Sequence, residues 1–586
     1  MALAAAAMSA VGHNVLAAVG AVTPFTSYEA EAGTVGGGAT VVTMTALPTT
    51  QYSSPVLEAS GHAYVQITGN GQYVRWKNDT GKKITAINVR YCIPDTRNGG
   101  GFTTTLNLYV NGVFRQAIPM NSKQTWLYEG NDHYQGNSQD PADGDPRVFF
   151  DDVHTFITGA PVPPGATIGL EKDSTNTSPY YLIDVVDVEA PPPPIAQPAN
   201  SLSITSYGAV ANNIAVDSTT PIQNCIKDAQ AQGKSVWFPR GTFYLNGTAG
   251  LVAKGITIQG AGMWYSTIYR NVPIPNPTPL GAIFQVTSCT VKNFACDSNA
   301  TSRATVDGCG GAMDTTGTNW VADSIWTEHT MSGFWASGTG GTVENCRLTS
   351  IWADGCNINN VSLDGTVGIN LTVKNNFIRG TGDDGTVINS VDYNGNTKYT
   401  PMSGCTIENN TVIAPWGGKA IAIYGGSNET IKNNFMSDTA RYIGLGVGKF
   451  GVNGSNLTSG LVTGNVVVRC GGNGFNQGQP ALHIGNGGDG QGVGTVSNVT
   501  VTGNTILDSL YDAIGFSTSS NILLQNNTVT SPGRNGIVIQ PPFYPAPTGS
   551  AAIQGNTITG LAAGMAPYIN NSSAYAASVT GNNWQR

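Results

Sequence analysis

Between residues 24 and 190, apolar and polar residues alternate along short runs: Ala63–Ile67, Tyr73–Trp76, Ile84–Tyr91, Thr104–Val110 and Tyr180–Val188. A period of two sends successive side chains to opposite faces of a strand, one for a core and one for its surroundings. Turn clusters such as Thr68–Gly71 and Arg97–Gly101 separate the runs. Strands at that spacing predict a β-sandwich over 24–190. The pattern ends at Ala190–Asn200, APPPPIAQPAN. Four consecutive prolines favour polyproline II, a stiff spacer, so 191–200 reads as a linker.

After the linker the period changes. Ile222, Cys225, Ile226 and Ala229 recur at helical spacing, which predicts a helix over Thr220–Gln232, followed by SVWFPRGTFYLNG (Ser235–Gly247). The order YGAVANN, helix, WFPRGTFYL resembles the entry of pectate-lyase-type β-helices, where a helix covers the open end of the barrel. From about residue 340 a loose unit repeats: an apolar residue, a spacer, an asparagine and a short apolar strand, as in VENCRL, VKNNFI, IENNTVI and VTGNTIL. The marker asparagines are Asn345, Asn376, Asn410, Asn434, Asn465, Asn504, Asn527 and Asn556, spaced 23 to 39 residues apart. Such a period in a β-rich chain signals a solenoid. The chain is therefore expected to be all-β, an N-terminal β-sandwich followed by a right-handed parallel β-helix over 201–586. Stacked asparagines would bond from coil to coil and accommodate left-handed bends.

Composition narrows the function. Charged residues make up 11% of the 586, against about 25% in a typical soluble domain, and glycine reaches 75. The net charge is −8 without a Lys/Arg cluster, which argues against nucleic-acid binding. The nine cysteines show no CxxC pair or metal-ligand spacing and are expected to be mostly buried, with one or two bridges at most. Residues 1–23 open on an Ala-rich apolar stretch resembling the later part of a secretory leader, though no Lys or Arg precedes it. No other stretch is long and apolar enough for a membrane span. A secreted monomer is the expectation.

In so uncharged a chain the acidic residues of the coils stand out. WADGCN contains Asp354, and RGTGDDG contains Asp383 and Asp384, 29 residues beyond Asp354 and so about one coil away. Adjacent residues within a strand point to opposite faces. The flanking Gly382 and Gly385 place the pair at a strand end instead, where both can face one groove. Three neighbouring carboxylates raise at least one pKa, and a protonated acid beside an ionised carboxylate is what glycoside hydrolysis requires. The competing reading is a calcium site or surface turns. Asp364 (SLDG) reads as a turn. Trp352, Trp416, Tyr424 and Tyr442 are the candidate sugar-binding aromatics, with Trp320, Trp326 and Trp335 as further rings that could stack or pack. His329 and His483 are isolated, without a serine-hydrolase or zinc pattern.

WADGCN, RGTGDDG and PWGGKAIAIYGG (Pro415–Gly426) resemble glycoside hydrolase family 87, the bacterial α-1,3-glucanases and mycodextranases. The resemblance covers most of the chain and implies Asp354, Asp383 and Asp384 as catalytic residues, inversion of configuration and no cofactor for catalysis. Asp383 is taken as the acid. The stretch between Asp354 and the pair is about six residues longer than the family pattern, which leaves continuous α-1,3-glucan and nigeran open as preferred substrates. YEAEAG (Tyr28–Gly33) and YLIDVVDVE (Tyr181–Glu189) resemble strands of carbohydrate-binding sandwiches, implying a structural calcium at Glu29, Glu31 and Asp184. Two other readings stand beside the endo-glucanase: a non-catalytic carbohydrate-binding β-helix, and a pectin-type lyase or hydrolase.

Overall fold

A computed structural model describes residues 19–47, 54–128, 139–272, 280–302, 310–360, 367–391, 400–451, 454–474, 477–486, 494–542 and 545–585. A two-stranded sheet, Trp126–Tyr128 with Pro146–Val148, and two larger antiparallel sheets form the N-terminal unit. One runs in the order Asp151–Phe156, Ala86–Cys92, Tyr181–Glu189, Ala63–Ile67, Thr40–Thr43, with Thr26–Glu29 also paired to Tyr181–Glu189. The other runs Thr34–Gly36, Tyr73–Lys77, Thr167–Glu171, Thr103–Val110, Val113–Asn121. Val65, Val74, Val89, Leu106, Leu108, Ile168 and Ile183 fill the space between them.

Every residue of Tyr181–Glu189 is buried. Tyr181, Ile183, Val186 and Val188 point into the sandwich core, while Asp184, Asp187 and Glu189 meet basic and hydroxyl groups. Arg90 Nε donates to Asp184 (2.7 Å), Arg379 to Asp187 (2.8 Å), and Arg347 donates twice to Glu189 (2.6 and 2.9 Å). Arg347 and Arg379 belong to the C-terminal unit, so this strand serves a core on one side and an interface on the other. His329, isolated in sequence, bridges the same interface, with Nε2 2.9 Å from Asp151 and Nδ1 2.8 Å from Asp297. Burial opposes its charge, but the two carboxylates outweigh this and push its pKa well up.

The C-terminal unit is a parallel β-helix. A 24-stranded sheet and a 12-stranded sheet run through it, strand on strand in parallel register from coil to coil. The helix Thr219–Gln232 caps one end through Ile222, Cys225, Ile226 and Ala229. Its C-cap Gly233 adopts the left-handed conformation that ends helices. The asparagine column is real. From Asn376 through Asn410, Asn434, Asn465, Asn504, Asn527 and Asn556 to Asn582, each side-chain amide donates to the next carboxamide at 2.9–3.0 Å. Each Oδ1 also accepts a backbone N–H from the coil before. Asn345 does not belong to it. It sits one position earlier, at φ 57°, and Cys346 stands at the ladder position, its N–H donating to Asn376. Two adjacent columns of polar turn residues, one left-handed and one laddered, look alike in a sequence repeat.

The linker is tied down: Ile195 N–H donates to Ala261 O (2.9 Å) and Tyr265 hydroxyl to Pro192 O (2.8 Å). At the other side, Gly20 N–H donates to Asn433 O, Ala21 N–H to Thr411 Oγ1 and Val22 N–H to Asn375 Oδ1. The last residues of the N-terminal apolar segment are thus bonded to turns of the β-helix. Residues 1–18 lie outside the described residues, as do Asp364 and Cys309. The eight described cysteines are buried and unpaired, so no bridge forms among them. No helix among the described residues is long and apolar enough to cross a membrane.

Candidate active site

The site forms where three successive coils turn into the 12-stranded sheet. Cys356–Asn359, Thr386–Asn389 and Ile421–Tyr424 pair in register, Cys356 with Thr386 and Thr386 with Ile421. Gly355 N–H donates to Asp384 O, and Gly385 N–H to Lys419 O. Asp354, Asp384 and Lys419 therefore occupy equivalent positions on neighbouring rungs. Gly382–Gly385 forms the turn between Phe377–Thr381 and Thr386–Asn389, so both Asp383 and Asp384 escape the alternation of a strand. One carboxylate oxygen from each of Asp354, Asp383 and Asp384 lies within 4.8 Å of the other two.

Asp384 is almost fully buried, and both its oxygens accept hydrogen bonds. Oδ1 takes the Lys419 N–H (2.7 Å) and Oδ2 takes the Tyr424 hydroxyl (2.7 Å). Lys419 Nζ in turn donates to the Tyr424 oxygen (2.7 Å). Burial and the Asp383 charge push the Asp384 pKa up to about 6, while Lys419 and the two donors hold it down against that rise. Asp354 accepts from Asn357 Nδ2 (3.2 Å). Asp383 is half-buried and accepts the Asp384 N–H (3.1 Å). His483 lies two strands beyond the Lys419 coil. Burial and the Lys419 charge push its pKa down to about 3, so it is a neutral ring at the edge of the cluster. Gly446 is a requirement of this packing, since a Cβ there would come within 2.8 Å of the Lys419 side chain.

The aromatic candidates divide. Tyr424 belongs to the cluster. Tyr442 is half-buried with its ring 5.8 Å from Lys419 Nζ. Trp352 and Trp416 are 2% and 6% exposed and are covered by the N-terminal unit. Phe149 stacks on Trp416 at 4.8 Å and meets Trp352 edge-on at 5.6 Å. The expectation that these two stack on sugar rings gives way to a role in the interface. Trp320 and Trp326 are likewise buried. Lys419 was missed in the sequence although a signal existed: Asp354, Asp384 and Lys419 each stand two residues before an apolar strand in consecutive coils.

Glu29 and Asp184 meet at the interface through Ser60, with the Glu31 charge near both. The Ser60 hydroxyl lies 2.7 Å from Glu29 and 3.1 Å from Asp184. Burial and neighbouring carboxylates push Glu29 well above the ordinary range and Glu31 to about 8; burial pushes Asp184 up to about 6 against the opposing pull of Arg90, Arg379 and Ser60.

Carboxylates clustered at the turns of neighbouring coils, one tuned close to neutral pH, are the equipment of a glycoside hydrolase. Comparisons give the class its family. Residues 22–190 match the α-1,3-glucanase catalytic domain D1, and residues 213–566, more than half of the chain, match domain D2. The chain belongs to this α-1,3-glucanase family, glycoside hydrolase family 87, and is a glycoside hydrolase. Its fold is similar to the Agl-KA catalytic domain, with 27% identity, 96% of this chain and 98% of that one covered, and TM-score 0.81. It is also similar to the catalytic unit of a thermostable GH87 α-1,3-glucanase from Streptomyces thermodiastaticus strain HF3-3, with 26% identity, 96% and 97% covered, and TM-score 0.77. A GH87 α-1,3-glucanase catalytic domain in complex with nigerose matches at 23% identity, 96% and 100% covered, and TM-score 0.80. No curated protein matches the chain.

Proposed function

We propose that this enzyme cleaves α-1,3-glucosidic linkages within α-glucan chains, with inversion, using Asp384 as the base that activates water. The observation that carries the base assignment is the pair of donors on Asp384. Two hydrogen bonds and a nearby ammonium favour the ionised carboxylate, and a pKa of about 6 suits proton abstraction near neutral pH. Asp354 and Asp383 flank it, and one of them donates the proton to the leaving oxygen. An activated aryl leaving group needs no such proton, so the acid variant retains its rate on that substrate while the base variant does not. Lys419 supplies beside the carboxylates the positive charge that the cation-binding reading would assign to calcium. An insoluble polymer cannot enter a cell, which supports an enzyme exported to its substrate.

The test is hydrolysis of α-1,3-glucan, nigeran and polygalacturonate, with products followed by proton NMR. The expected result is oligosaccharide release from an α-1,3-linked glucan, with the β-anomer appearing first. Release of the α-anomer first would replace inversion by a covalent intermediate. Cleavage of polygalacturonate alone, with an ultraviolet-absorbing unsaturated product, would replace the reading by a lyase.

We also propose that Glu29, Glu31 and Asp184 hold a structural calcium. Glu31 Oε2 is buried without a hydrogen-bond partner, and although Arg90 already pairs with Asp184, Glu29 and Glu31 are buried acids that need either protons or a further cation. Calcium there would neutralise the cluster and clamp the N-terminal unit. The expected outcome is a lower Tm in chelator, restored by calcium, with no change in kcat at temperatures where the protein stays folded. An unchanged Tm at pH 8 would show that the acids are protonated instead.

A further inference from the structure

The N-terminal unit reaches the catalytic turn through one buried arginine. Arg147 lies in Pro146–Val148, a short strand paired with Trp126–Tyr128. It is 3% exposed. Its guanidinium donates to Glu58 Oε1 (2.8 Å) and to the backbone carbonyl of Trp416, and its carbon lies 4.8 Å from the centre of the Trp416 ring. Phe149, two residues on, stacks on the same indole. Trp416 is thus gripped at its carbonyl and on its ring by side chains from the other unit.

Trp416 is also part of the turn that packs on the aspartate pair. Its N–H donates to Thr381 O (2.8 Å), and its ring lies on Gly382, where a Cβ would come within 2.5 Å of it. Gly418 lies equally close to Asp383, whose backbone carbon a Cβ there would meet at 2.3 Å. The same turn ends at Lys419, whose N–H holds Asp384 Oδ1. The carbonyl that Arg147 holds therefore lies two residues from the glycine packed on Asp383 and three from the donor that orients Asp384. We infer that Arg147 is a positioning residue for Asp383 and Asp384, acting through Trp416 without touching the sugar. This rests on the catalytic reading of the aspartates, and its test includes a readout that does not.

Removing one partner of a buried ion pair leaves an uncompensated charge, so Arg147→Met is made together with Glu58→Gln, and Arg147→Lys serves as the conservative variant. Arg347→Met with Glu189→Gln is the control, because that pair bridges the same interface away from the turn. The expected result for Arg147→Met/Glu58→Gln is kcat lowered at least 10-fold with KM within 2-fold, and the acidic limb of the pH profile displaced as the donor to Asp384 loosens. Arg147→Lys recovers part of kcat. Backbone amides of 382–384 and 417–419 exchange faster with deuterium in the Arg147 variant and not in the control. Equal loss of kcat in both double variants at equal Tm, or unaltered exchange at those amides, would overturn the inference. A wild type inactive on every α-glucan, with the exchange difference intact, would overturn the catalytic reading and leave the mechanical link standing.

Discussion

Replacing Asp384 by asparagine is expected to lower kcat on α-1,3-glucan by about 10³-fold or more, at the upper part of the range for a positioned acid or base. The size follows from the geometry. The side chain keeps its volume, and its amide oxygen can still accept one of the two donors, so the turn remains folded. The amide cannot take a proton from water, and its NH₂ faces whichever of the Lys419 N–H and the Tyr424 hydroxyl the oxygen does not accept. KM changes little because the group acts on water rather than on the sugar. Asp354→Asn and Asp383→Asn complete the series. A kcat within 10-fold of wild type for Asp384→Asn would remove this residue from the mechanism, whatever the other two do.

The second large effect concerns Lys419. Its charge and its N–H both lower the Asp384 pKa, and its ammonium fixes the Tyr424 hydroxyl that binds the second oxygen. In Lys419→Met the backbone donor remains and the charge is lost. The Asp384 pKa then rises above about 6, so the ionised base is present only at higher pH. We expect the acidic limb of kcat/KM to move to higher pH and kcat at pH 6 to fall about 10²-fold, with part of the loss recovered on raising the pH. The limb belongs to the coupled cluster rather than to one carboxyl, so its displacement, measured on folded variant protein, is the informative quantity. A limb that stays in place or moves to lower pH contradicts the ionised-Asp384 account. Tyr424→Phe should displace it in the same direction by a smaller amount.

Much of this was legible in the chain. Alternation located the sandwich strands, and the asparagine repeat located the coils, because a parallel stack needs the same residue type at the same bend in each turn. Glycines on either side of Asp383 and Asp384 correctly marked a strand end. Pairing between units was beyond such reasoning. Trp352 and Trp416 sit beside the catalytic motifs in sequence and look like sugar platforms, yet Phe149, more than 200 residues earlier, covers them. His329 looked isolated because its partners Asp151 and Asp297 come from distant segments. Asn345 showed the limit of a one-residue register, where two turn columns of the same chemistry run side by side.

The measurement that bears most directly on the whole account is release of reducing ends from insoluble α-1,3-glucan by wild type and Asp384→Asn, with both shown to be folded by equal Tm. Steady release by wild type and near-complete loss in the variant is the predicted result. Comparable release by both proteins would contradict it, since hydrolysis would then proceed without the carboxylate around which Lys419, Tyr424 and the turn of the β-helix are arranged.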